Sequence, residues 1–375
     1  MEVFKILHKD KKTKARVGVI NTKKGKIETP FFMPVATKAG VKQISSMDLH
    51  EMDAKAVISN ALILSLRPGT SLIRKFGGIG KFMNFKGINV TDSGGFQMYS
   101  KRIYLNSNDK GVMFRNPFSG EKLFITPEED MRIQLDLGSD IAMCLDSMPL
   151  YQHSKKEIEE AVKKTTLWAK RCKIHHDKLQ AKLQKNKRQL LFGITQGGIY
   201  KDLRKKSIKE LAELNFDGYS IGGLGLGEKR KDEFKIIELQ KATLPENKPI
   251  YLMGIGDPVE ILESIARGVD MFDSRMPTQN ARRGTIFTSK GKLRILNKKY
   301  EADKKPIDSN CNCFVCKNYS RAYIRYQLSQ EEAVGKRLAT FHNLYYLQSL
   351  MKQAKEKIKI GEFKEFIAKV KKAYN

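Results

Sequence analysis

Eight short apolar runs recur along this chain, at 30–36, 56–62, 88–91, 141–145, 190–194, 218–221, 250–253 and 269–272, with helical patterns between most of them. Runs of this length read as buried strands. Strands separated by helices pair in parallel, because a parallel neighbour needs a crossover long enough to hold a helix. Eight such units predict an α/β fold, a (β/α)8 TIM-like barrel closed on itself, with a doubly wound open sheet as the structural alternative. The helices carry their own start signals. Thr126-Pro127-Glu128-Glu129 and Ser154-Lys155-Lys156-Glu157 are capping boxes, the first with Pro at the first helical position. After the second, Ile158, Val162, Thr165, Ala169 and Cys172 fall on one stripe. Asp257-Pro258 opens another helix, with Ile261, Ile265 and Ala266 inward and Gly268 as its stop. Turn signals between 101 and 120 predict a hairpin insertion. Past Thr285 the alternation ends. The expected organisation is a catalytic barrel with its lead-in over 1–300, a Cys3His zinc-binding module over 301–350 and a lysine-rich helical cap over 351–375.

Six consecutive strands close on a polar or glycine-rich cluster. These are Thr91-Asp92-Ser93-Gly94-Gly95-Phe96-Gln97, Asp146, Gln196-Gly197-Gly198, Gly222-Gly223-Leu224-Gly225, Met253-Gly254-Ile255-Gly256 and Asp273. A single Asp after a strand is usually a helix cap. Six clusters in a row fit the rim at which barrel active sites are built. They offer three carboxylates (Asp92, Asp146, Asp273), one amide (Gln196) and open backbone, with no His and no Ser–His pair. Paired carboxylates suit displacement at an anomeric carbon, where one attacks and the other moves protons. A carboxylate also accepts two parallel N–H donors such as a guanine edge presents. Gln196 and backbone N–H groups could hold a purine oxygen. Phe96 and Met253 offer faces for a base, with core packing as the plain alternative for each.

Cys311-x-Cys313-x2-Cys316, with His342 further on, is the Cys3His donor set of a structural zinc site with a closed coordination sphere. Five cysteines, three of them crowded together, fit a reducing compartment better than a disulfide framework. No apolar run approaches membrane-spanning length and no signal-peptide core stands at the start, so a soluble, cytoplasmic protein is expected. The net charge is +29. That excess implies either a polyanionic partner or a lysine-rich proteome. The stretch 281–299 holds seven basic residues and no acidic one, just after Asp273. It reads as a phosphate track for a nucleic acid entering the site, with Arg282, Arg283 and Lys290 as candidate contacts. The eight lysines of 351–375, against three glutamates, are explained by a solvated helical face.

Taken together, these motifs resemble the bacterial tRNA-guanine transglycosylase (queuine tRNA-ribosyltransferase) family over nearly the whole chain. Glu28-Thr29-Pro30, Leu137-Gly138-Ser139-Asp140-Ile141, Tyr251-Leu252-Met253-Gly254 and Gly268-Val269-Asp270-Met271-Phe272-Asp273 carry the likeness alongside the rim clusters and the zinc ligands. The resemblance implies a double displacement. Asp273 attacks C1′ of a flipped-out wobble guanosine, guanine leaves, and an incoming 7-deazaguanine displaces Asp273, with Asp92 shuttling protons. Asp146, Gln196, Gly223 and Leu224 read the base edge, Phe96 and Met253 sandwich the base, and Arg282 meets the anticodon loop. It further implies a structural Zn2+, tRNA partners with a wobble guanine (Asp, Asn, His and Tyr acceptors) and a homodimer, with aromatics near Tyr319 and Tyr323.

The chain departs from the usual pattern at Ser147-Met148, Ser274-Arg275, Gln279 and Leu226. The departures spare the aspartates and bear on base choice. Large walls at Met148 and Leu226 favour 7-aminomethyl-7-deazaguanine over queuine as the incoming base, because an apolar wall excludes a cyclopentenediol and leaves its hydroxyls unpaired. The competing readings are a queuine-salvaging enzyme, a non-catalytic tRNA-binding subunit and a D-arm-modifying enzyme. Retention of Asp92, Asp146 and Asp273 argues against the second, and the chain's short C-terminal region against the third.

Overall fold

The computed structural model describes residues 2–95, 103–148 and 153–374. Strands β1 (Phe4–Lys9), β2 (Arg16–Thr22) and β3 (Gly25–Thr29) form an antiparallel lead-in sheet. The barrel follows with β4 (Phe31–Pro34), β5 (Ala56–Asn60) and β6 (Ile88–Asp92). An excursion of three antiparallel strands, β7 (Tyr104–Asn108), β8 (Gly111–Arg115) and β9 (Lys122–Ile125), interrupts it. It resumes with β10 (Ile141–Met143), β11 (Leu190–Thr195), β12 (Gly218–Ile221), β13 (Ile250–Leu252) and β14 (Met271–Ser274). All eight barrel strands are parallel. β14 pairs with β4, and the parallel bridge Val35–Ile58 joins β4 to β5, closing the ring. The open-sheet alternative is excluded.

The core is double, as a filled barrel requires. Inward residues such as Met33, Ile58, Val90, Met143, Phe192, Tyr251 and Met271 form one buried cluster, shared with Phe4, Ile20 and Ile27 of the lead-in sheet. A larger cluster joins the outward faces to the helices. The lead-in sheet closes the lower end through Arg16. Its Nε and Nη2 meet both oxygens of Asp270 at 3.0 and 2.6 Å, and Asp270 also accepts the Ile250 N–H at 2.8 Å.

Both capping boxes form as read. All five stripe residues of helix Lys155–Gln180 are buried, and Asp257 caps helix Pro258–Ile265. Several strand ends differ from expectation. The run 56–62 is a strand as far as Asn60 and a helix from Ala61, because Asn60 Oδ1 accepts the Ile63 N–H at 2.7 Å and starts helix Ala61–Leu66 inside an unbroken apolar stretch. The last run begins at Met271 rather than 269 and extends to Ser274. The expected hairpin insertion is a three-stranded sheet. Its β7–β8 turn is held by Trp168 Nε1 and Arg171 Nη1, which donate to the Asp109 carbonyl at 3.0 and 2.7 Å.

Beyond the barrel come the hairpin β15 (Thr285–Thr288) and β16 (Gly291–Arg294) and then helices, including Ala333–Lys359 and Phe363–Tyr374. The expected boundary between 350 and 351 falls inside helix Ala333–Lys359, so His342 and the start of the lysine-rich tail share one element. Among the described residues no helix is long and apolar enough to cross a membrane.

Candidate active site

Strand alternation delivers the site residues. On β6, Ile88 and Val90 point inward, so Asp92 does too; on β11, Leu190, Phe192 and Ile194 lead to Gln196. On β13, Tyr251 leads to Met253, and on β14 Met271 leads to Asp273. Each is the first inward position above the apolar barrel layers. Asp92, Met253 and Asp273 line a cavity of about 330 Å³ at the C-terminal rim, with Asp146, Gly223 and Leu224 also among its walls.

Among the described residues, two carboxylates are each held by one oxygen. Asp273 Oδ1 accepts from the Tyr251 hydroxyl at 2.5 Å and from the Gly254 N–H at 2.9 Å. Asp92 Oδ1 accepts from Asn60 Nδ2 and the Gly94 N–H, both at 2.9 Å. Burial raises the Asp273 carboxyl above the usual range, against the Tyr251 and Gly254 hydrogen bonds. Burial, and then the Asp273 charge, pushes Asp92 up to about 7. Buried Tyr251, beside Asp273, is held well above the ordinary phenol value and so stays a donor.

The third carboxylate is bonded to the amide along one edge of the cavity. Asp146 is pushed up to about 6 by burial, and its Oδ2 accepts from Gln196 Nε2 at 2.6 Å. Gln196 Oε1 is buried without a partner among the described residues. Two glycines let this edge form. A side chain on Gly95 would meet Asp146 Oδ1 at 2.8 Å. One on Gly223, whose φ is +66°, would meet Gln196 Oε1 at 2.6 Å. The loop beyond is braced by Glu228, which accepts the Gly225 and Leu226 N–H groups at 2.6 and 3.0 Å.

Of the residues expected at a base site, the cavity gathers Asp92, Asp146, Gly223, Leu224, Met253 and Asp273, with Gln196 bonded to Asp146 behind the wall. Phe96 lies outside the described residues. Met148 and Leu226 line the cavity. Arg282, Arg283 and Lys290 do not; Arg275 and Gln279 stand at its rim instead. Asn60, Tyr251 and Arg275 had no role assigned from sequence. Tyr251 could have been found by extending the β13 alternation backward. Asn60 was concealed by the apolar residues that follow it.

The metal-type cluster lies apart from this cavity. Cys311, Cys313, Cys316 and His342 bring their donor atoms within 4.8 Å of one another. His342 Nδ1 faces the three sulfurs at 3.9, 3.5 and 3.3 Å. His342 Nε2 lies 2.8 Å from the Phe287 carbonyl. A proton on Nε2 leaves the Nδ1 lone pair for a metal, the usual arrangement of a ligating histidine. Four converging donors of this kind can hold a metal ion.

A rim of aspartates on a parallel barrel with a Cys3His cluster behind it narrows the field, and comparison with known proteins decides it. The queuine tRNA-ribosyltransferase family model matches residues 10–375. The chain belongs to this family. It is 47% identical over 365 residues to the queuine tRNA-ribosyltransferase of Lysinibacillus sphaericus, covering 96% of this chain and 94% of that one. A Fusobacterium nucleatum relative of the same name is 47% identical over 367 residues (97% and 96% covered), and one from Halothermothrix orenii 44% over 363 (97% and 95%). Members of the queuine tRNA-ribosyltransferase family are pentosyltransferases, and this chain is an enzyme of that class, working on tRNA in the queuosine pathway.

Proposed function

We propose that this enzyme replaces the wobble guanine of tRNA, in the Asp, Asn, His and Tyr acceptors, with 7-aminomethyl-7-deazaguanine through a covalent Asp273–ribosyl intermediate. The observation that carries the reading is the pair Asp92 and Asp273, each anchored through one oxygen among the described residues, in a single cavity. Among the described residues, Oδ2 of Asp273 accepts no hydrogen bond, which leaves it available as nucleophile. Its attack on C1′ forms the ester as the C1′–N9 bond breaks, and the electron pair passes to the departing guanine. Asp92, near 7, suits both halves of the proton traffic: as an acid it protonates the leaving N9, and as a carboxylate it takes the N9 proton of the incoming base. That base attacks C1′ and returns Asp273 to its carboxylate. Asp146 in ionised form accepts the guanine N1–H and N2–H, while Gln196 and the backbone of Gly223 and Leu224 address the purine oxygen and the ring substituent. Phe96 and Met253 stack on the base.

Arg282, Arg283 and Lys290 carry the anticodon arm; Arg282 is half-buried with Nη1 unpartnered among the described residues. The Cys3His cluster holds a structural Zn2+, whose chemistry is to fix the segment around 311–342 against the barrel. Tyr319 and Tyr323 stack at 5.4 Å with Tyr323 part exposed, which supports a homodimer contact there. The enzyme works in the cytoplasm.

The choice of base rests on Met148 and Leu226 in the cavity wall. A competition between 7-aminomethyl-7-deazaguanine and queuine, on unmodified tRNA with a wobble guanine, should give the higher kcat/KM to the aminomethyl base. Preference for queuine would mark a salvage enzyme and return attention to Ser147 and Met148.

A further inference from the structure

Behind the Asp146–Gln196 edge lies a cation that the reaction outlined above does not use. Arg204, on helix Lys201–Glu213, is completely buried. Its guanidinium donates to three carbonyls at the ends of two adjacent strands: Nε to Gly198 at 2.7 Å, Nη1 to Thr195 at 3.0 Å and Nη2 to Gly222 at 2.7 Å. Among the described residues it forms no ion pair, and Glu228 is the one carboxylate whose charge acts on it. Burying an unpaired charge is costly, and a neutral donor could staple the same loops at lower cost. The charge therefore asks for a function.

The Gly222 carbonyl suggests one. Its peptide is trans, so the C=O and the following N–H point in opposite directions. The bond from Arg204 to this carbonyl turns the Gly223 N–H away from the guanidinium. Gly223 lines the cavity, and among the described residues its N–H has no acceptor. The place where a Gly223 side chain would begin lies 3.8 Å from Arg204 Nη2 and 2.6 Å from Gln196 Oε1. Guanidinium, Gly222 carbonyl and Gly223 N–H thus form one polarised chain that ends at a residue of the cavity wall.

We propose that Arg204 is a positioning residue for base exchange: through the Gly222 carbonyl it aims and polarises the Gly223 N–H, which bonds more strongly to purine O6 as negative charge gathers there. This rests on the reaction proposed above. When C1′–N9 breaks, its electron pair stays on the purine and delocalises onto O6 until N9 is protonated. A donor strengthened by a buried cation gains more from that anion than from the neutral base, and so lowers the barrier without tightening ground-state binding. Arg204 touches neither substrate nor reacting atoms; it acts through one peptide.

The test compares Arg204→Gln and Arg204→Lys with the wild type on two tRNAs, carrying guanine or 6-thioguanine at the wobble position. Sulfur keeps the N1–H and amino edge but accepts hydrogen bonds weakly. Losing a direct oxyanion donor costs about 10²–10³ in kcat, so weakening one should cost roughly 30-fold. With guanine, Arg204→Gln should lose about that factor in kcat with KM for tRNA nearly unchanged, and Arg204→Lys should recover part of it. With 6-thioguanine the loss should shrink to a few-fold. Equal losses on both tRNAs would make Arg204 a structural staple and overturn the inference, as would an unchanged kcat on guanine. Should the Gln variant fail to fold, Arg204→Lys bears the same two-tRNA comparison. A wild type that exchanges neither base defeats the underlying reaction; a wild type that exchanges both, with equal losses in the variants, defeats this inference alone.

Discussion

Replacing Asp92 with Asn should stabilise the folded chain, and the gain should grow with pH. The native carboxyl is raised from 3.8 to about 7 by burial and by the Asp273 charge, whereas the unfolded one titrates near the ordinary value. Between those values the native state binds the extra proton, so wild-type stability falls as pH rises through that window and levels off above about 7. Asn does not titrate, and its Oδ1 can still accept from Asn60 and Gly94, so the local hydrogen bonds survive. From pH 5.5 to 8.5 the wild type crosses roughly 1.5 pH units of the window. At about 1.4 kcal/mol per unit, the variant's advantage should widen by about 2 kcal/mol. Urea midpoints at pH 5.5, 7 and 8.5, with zinc present throughout and the slopes checked for constancy, measure it. A gap that stays constant or narrows would refute the desolvated, charge-coupled Asp92 on which its acid–base role depends. The variant should also exchange bases at least 100-fold more slowly, the usual scale for a lost general acid–base group.

Two further outcomes follow from other parts of the molecule. Cys313→Ser or His342→Ala should lose one equivalent of zinc by atomic emission and expose the segment around 311–342 to proteolysis before the barrel; a wild type that lacks metal and still works would contradict the structural zinc. Changing Arg282, Arg283 and Lys290 together to Ala should weaken tRNA binding and reduce the slope of log K against log salt by about 2, at roughly 0.7 per contact to single-stranded RNA; an unchanged slope would move the tRNA path elsewhere, with the lysine-rich tail as the next place to look.

The barrel was legible because its evidence is repeated. One apolar run is ambiguous, but eight, with helical patterns between most of them, leave few architectures, and the polar clusters mark which end holds the site. Asp92, Gln196, Met253 and Asp273 could be read because each sits one alternation step above an inward apolar residue. What could not be read depends on contacts between strands. Asn60 starts a helix with one side-chain atom and holds Asp92 with the other, from a different strand. Tyr251 looks like one more barrel aromatic until its hydroxyl is found on Asp273. Arg204 resembles any basic residue on an amphipathic helix; three backbone carbonyls from elsewhere in the fold set it apart. The end of β5 was misplaced for a related reason: apolar composition continues where a cap has already changed the backbone, as at Asn60 to Leu64.

In the proposed reaction Asp273 carries the ribosyl group between the two bases. Wild-type enzyme incubated with tRNA, quenched in denaturant and digested with protease and nuclease should yield a peptide containing residue 273 joined to a base-less ribose phosphate, by mass spectrometry. This species is expected for the wild type, with its loss on adding excess incoming base and its absence in Asp273→Asn despite retained tRNA binding. An adduct of undiminished yield in Asp273→Asn, or one mapping to Asp92, would contradict it.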